Sequence, residues 1–126
     1  MTRTSRRRPL EPDELDRYAH LPRGLLERVR LIRVPFLPPA VDGMTLGRVV
    51  LLRGDRIDAR ASTLIAHELV HVRQFAELGP VRFLGRYLSE YLRNLLRFRS
   101  HRRAYAAISL EIEARSEAAE WADEHL

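Results

Sequence analysis

The sequence predicts a mixed α+β domain in which helix dominates. Two observations lead there. Between residues 29 and 53, two short runs rich in Val, Leu and Ile are set off by proline and glycine, as strands are. From Ala61 onward the apolar residues recur at helical spacing almost to the C-terminus. The predicted order is a short helix, two strands and three longer helices, with a sheet of two or three strands in all.

Each element has its own signal. Residues 1–12 read as a flexible basic tail, because three consecutive arginines precede Pro9 and no apolar run follows. Residues 13–126 then form a single domain, since 126 residues support one modest core. Pro12 to Arg23 predicts a short helix, with acidic residues in its first turn and Pro22 and Gly24 as breakers. The first strand runs through Val29 and Leu31 to Val34–Phe36. "LPPAVDGMTLG" reads as a turn-rich link, and Arg48–Arg53 as the second strand, closed by Gly54. In the next segment Leu64, His67, Glu68, His71, Phe75 and Leu78 share a helical face. Ser62 or Asp58 would cap this helix, and Gly79–Pro80 would end it. Residues 82–103 give a basic amphipathic helix with a leucine and tyrosine stripe, whose plainest role is to supply core. The last helix, from about Arg103 to His125, is acidic.

Composition narrows the chemistry. There is no cysteine, so disulfides and thiolate metal sites are both excluded. All basic residues are arginine, and the net charge is +5. The N-terminal arginines lack the apolar run of a signal peptide, and no segment has the 18 or so apolar residues of a membrane span. The expected location is therefore cytoplasmic. No Gly-rich phosphate loop or aromatic–basic interleaving speaks for nucleic acid. Seven arginines and one glutamate in residues 82–103 admit an anionic membrane surface as a partner.

The chemistry concentrates in "HELVH", residues 67–71. On a helix, positions four apart share a face, so His67 and His71 can each give one ring nitrogen to a single Zn²⁺. Glu68 lies about 100° around the helix. It stays off the metal yet reaches a water beside it, where it would act as general base. With this composition the chance expectation for such a pentapeptide is only about 0.02 matches. Two imidazoles and a carboxylate on an apolar face are costly to bury unless paired or metallated.

A catalytic zinc needs a third protein ligand. Glu77 would require a glycine to break the helix, and Gln74 stands there instead. His101 and His125 are isolated. The acidic last helix is the better source, and periodicity leaves Glu111 and Glu113 both open.

"HELVH" followed at a distance by "EIEARSEAAEWA" resembles the gluzincin zinc metallopeptidases, closest to their short single-domain members. The likeness spans about Met44 to Ala122. It implies a zincin-like domain, with the sheet packed on an active-site helix and a glutamate helix. It also implies Glu113, the glutamate before alanine, as third ligand, and Glu117, one turn on, as the residue that orients a zinc-bound histidine. Tyr105 is the candidate for polarising the substrate carbonyl. "MTLGRVVLLRG" resembles the cleft's edge strand, so a peptide or protein substrate would pair with residues 48–53. The expected function is zinc-dependent peptide hydrolysis with Glu68 as base. The alternative is a non-catalytic, zinc-stabilised binding module of the same fold, docking on membrane or partner through residues 82–103.

Overall fold

A computed structural model describes residues 7–38, 41–53 and 59–126. In chain order the elements are β1 (Arg7–Pro9), α1 (Pro12–Arg17), α2 (Arg23–Leu26), β2 (Arg30–Val34), β3 (Gly43–Leu46) and β4 (Val49–Arg53). The helices α3 (Ala59–Leu78), α4 (Pro80–Phe98), α5 (His101–Ala106) and α6 (Ser109–His125) follow. The chain is thus a mainly helical α+β fold with one small four-stranded sheet.

The sheet departs from the sequence reading in three ways. Its order is β1-β2-β4-β3, with β2 and β4 parallel and both outer pairs antiparallel. β4 is therefore interior, paired on both sides, and residues 48–53 are not the edge that the sequence suggested. β3 lies in the stretch read as a link. It forms because Gly47, at φ 64°, turns the chain tightly enough for Leu46 to face Val49. β1 lies in the stretch read as a tail; residues 1–6 of that tail are outside the described residues. It is held by Arg8, whose guanidinium grips the buried Glu14 carboxylate at 2.6 and 3.1 Å.

That grip gives a pH dependence. Burial raises the Glu14 pKa, but the hydrogen bonds from Arg8 and the Glu11 amide outweigh it, and the net shift is downward from 4.5. Glu117 is likewise lowered, chiefly by its hydrogen bond to Arg73. A carboxyl with a depressed folded pKa adds stability above its unfolded pKa and loses it as pH falls through the folded one. The melting temperature is expected to hold above about pH 4.5 and fall below it. Replacing both residues by glutamine makes that acid limb shallower in a thermal melt, with Glu90 and Glu111 carrying what is left.

The helices differ from expectation at their ends. Pro22 precedes a separate short helix, α2, which contains Gly24. Ser62 lies inside α3 rather than at its cap, and its carbonyl accepts the Tyr18 hydroxyl at 2.9 Å. Asp58, the other proposed cap, is outside the described residues. The expected last helix is broken in two. Ser100 caps α5 by accepting from the Arg103 amide, and Ile108, extended at φ −66° and ψ 128°, restarts the chain as α6. Glu90 of α4 fastens that restart: its carboxylate accepts from the Ser109 amide at 2.7 Å and hydroxyl at 2.9 Å. A carboxylate at a helix N-terminus satisfies an orphan donor and complements the helix dipole.

The main core lies between the sheet, α1–α2, α3 and the end of α6. Tyr18, Leu26, Val29, Val50, Leu69 and Trp121 are all buried there. Tyr18 stacks on Trp121 at 5.0 Å, and the indole donates to the Arg17 carbonyl. Each such buried apolar side chain contributes about 1.5–3 kcal/mol. A second cluster of Phe75, Phe83, Ile108 and Leu110 packs α3 against α4 and the start of α6.

The leucine stripe of α4 does not join either core. Leu84, Leu88, Leu92 and Leu96 are 42%, 55%, 57% and 81% exposed, and Phe83 is the buried residue of the helix. The helix rests on its aromatic side, with Tyr87 and Tyr91 partly buried.

Candidate metal centre

Helix α3 presents His67 and His71 toward the first turn of α6. Their rings meet edge to face with centroids 5.0 Å apart. Glu111 reaches both: Oε1 is 2.9 Å from His67 Nε2, and Oε2 is 3.1 Å from His71 Nε2. One donor atom from each residue lies within 4.8 Å of the other two, and these three form the metal-capable group found among the described residues. His71 and Glu111 are buried, while His67 is partly open.

Glu111, not Glu113, joins the histidines, so the assignment drawn from the ExEA resemblance is corrected. The reason is helical register. Glu111, Ala114, Ala118 and Trp121 recur at i, i+3, i+7 and i+10, and all are buried. Glu113 lies about 200° around from Glu111. Its carboxylate instead accepts from Gln74 Nε2 at 2.7 Å and Arg73 at 3.0 Å. Glu117 is also displaced from its expected role. It forms a two-point pair with Arg73, at 2.6 and 2.8 Å, tying α3 to α6 rather than orienting a histidine.

The residue that orients a histidine is Gln74, which sequence reasoning passed over. Its amide nitrogen donates to the Leu110 carbonyl and the Glu113 carboxylate, both acceptors. Its oxygen must therefore face His71 Nδ1, 2.7 Å away, which has to carry the proton. That leaves Nε2 to face Glu111. It is buried and makes no hydrogen bond of its own. A lone imidazole nitrogen buried beside a carboxylate is the arrangement a cation satisfies. The signal in the sequence was Gln74 itself, a polar residue three positions after His71 on the buried face. Gln74→Leu is expected to weaken metal binding roughly 10–100-fold. Isothermal titration with Zn²⁺ on the refolded apo-protein checks it.

Glu68 sits beside the cluster. Its carboxylate accepts from the Thr45 hydroxyl at 2.9 Å, and the same hydroxyl lies 3.0 Å from the Glu68 carbonyl. A side chain on Gly43 would put its Cβ 3.1–3.2 Å from the Glu68 carboxylate end, so any other residue there would press Glu68 out of place by a few tenths of an ångström. Burial raises the Glu68 pKa, and the histidine charges and Thr45 offset this only in part. Burial also raises the Glu111 carboxyl, yet the two imidazoles and Tyr87 hold it well below the usual carboxylate range.

Two phenols border the site. Tyr87, from α4, donates its hydroxyl to Glu111 Oε2 at 2.6 Å. Tyr105, the residue expected to face the substrate, is half-buried in the second cluster and within electrostatic range of Glu111 and Glu68. Burial, then the neighbouring carboxylate charges, raises both phenol pKa values, so both stay protonated donors. His101 instead bonds Tyr91, and His125 the Trp121 carbonyl.

In comparisons with family models, curated proteins and solved structures, nothing matches this chain. The functional reading therefore rests on the geometry of these side chains.

Proposed function

We propose that the protein is a zinc-dependent hydrolase of peptide bonds, of the zincin-like type that the sequence motif suggested. One observation carries the reading: two imidazoles and a carboxylate converge on a point, with the buried His71 Nε2 facing Glu111 at 3.1 Å without a hydrogen bond and a second carboxylate, Glu68, alongside. His67, His71 and Glu111 would hold the ion. Two nitrogens and one oxygen suit zinc, and three protein ligands leave room for substrate. A bound zinc would supply Lewis acidity toward a carbonyl oxygen and toward water.

The remaining work falls to the chain. Glu68 takes a proton from the attacking water and returns it to the leaving amine. Thr45 holds that carboxylate in place, and Gly43 gives it room. Gln74 fixes the tautomer of His71. Tyr87 orients Glu111, and Tyr105 is the donor proposed to polarise the substrate carbonyl. The open side of His67 supports access by substrate. The test is direct. Protein loaded with zinc and desalted should carry one ion per chain by mass spectrometry and cleave members of an unstructured peptide library. A chelator should stop cleavage and re-addition of zinc restore it. A protein that takes up no metal would overturn the reading.

A further inference from the structure

Helix α4 divides into three faces. One, carrying Phe83 and Tyr87, packs on the protein. The second is a leucine row, Leu84, Leu88, Leu92 and Leu96, spaced one turn apart and exposed over the length of the helix. The third carries Arg82, Arg93 and Arg97, all exposed and clustered about 120° from the leucine row. The acidic residue of this helix, Glu90, is turned inward to Ser109 and Arg86. A leucine face edged on its open side by arginines, with no exposed carboxylate among them, is an interfacial helix in all but its surroundings.

We propose that α4 docks this protein on an anionic lipid surface, lying in the plane of the interface with its leucines in the acyl boundary and its arginines among the headgroups. Charge selects this occupant. A second copy seated antiparallel on the leucine row would bring the two arginine rows to the same side, where like charges repel, and in either orientation its α4 offers these arginines no exposed carboxylate. An anionic headgroup layer complements the row, and arginine stems can lie along apolar surface while the guanidinium reaches phosphate. No helix among the described residues is long and apolar enough to cross a membrane, so the contact is peripheral. The proposal does not depend on the metal centre.

The test is co-sedimentation of the whole protein with phosphatidylcholine vesicles, with and without 30% phosphatidylglycerol, at low and at physiological salt. Binding should require the anionic lipid and weaken with salt. Arg82→Gln, Arg93→Gln and Arg97→Gln together should weaken it about a hundredfold, from about fivefold per arginine. Leu88→Gln with Leu92→Gln should weaken it at least tenfold. These side chains are exposed, so circular dichroism and melting should be unchanged. Absence of binding at low salt overturns the proposal. Binding that survives the leucine changes marks simple electrostatic adsorption and also overturns it. So does a dimer in light scattering that the leucine changes dissociate in a protein that ignores vesicles.

Discussion

Glu68→Gln is expected to lower peptide cleavage by about 10²–10⁴-fold while one zinc per chain is retained. The substitution is close to isosteric. The Thr45 hydroxyl can donate to an amide oxygen as it does to the carboxylate, and Gly43 still leaves clearance. The folded state and the three candidate ligands are therefore preserved, and only the ability to accept a proton is lost. Stopped assays on the peptide that the parent cleaves best, paired with metal analysis of the same sample, separate the two quantities. A variant as active as the parent would remove Glu68 from the chemistry. A variant that lost its zinc would make Glu68 a ligand instead of a base.

The second large effect divides two glutamates two residues apart. Glu111→Gln should cost more zinc affinity than the roughly 10–100-fold typical of residues that only support a ligand. It replaces the carboxylate that lies 2.9 and 3.1 Å from the two imidazoles. Glu113→Gln should stay inside that smaller range, because Glu113 acts through Gln74 and Arg73. Competition against a fluorescent zinc chelator measures both. Equal losses, or a larger loss at Glu113, would return the third-ligand assignment to the position that the motif resemblance implied.

The two histidines and their glutamate were legible in the sequence because they are local: one helical turn fixes their relation whatever the rest of the chain does. The third candidate ligand was not, because helix contents alone do not say which face of α6 meets α3. The alanines and Trp121 did contain that answer. Reading Glu111 in register with Ala114, Ala118 and Trp121 marks the buried face, whereas the ExEA pattern favours its neighbour. Gln74 carries a weaker signal, because a lone glutamine inside a helix is compatible with any face until the partner helix is placed. The strands β2 and β4 stood out by composition. β3 did not, since it is only four residues long and opens on Gly43, a poor strand former that is there to give Glu68 room. The leucines of α4 misled in another way. Their spacing is that of a core helix, and only the fold reveals that the aromatic side was used for packing.

His67 and Glu111 are 44 residues apart in the chain, and nothing local brings them together. An ion held by both is bound by the docked pair of helices and not by either one alone. Occupancy and folding are then a single equilibrium: free zinc at a hundred times its dissociation constant would add about 2.7 kcal/mol to the stability of the native chain. Scarcity of such an ion would thus shorten the life of the native chain.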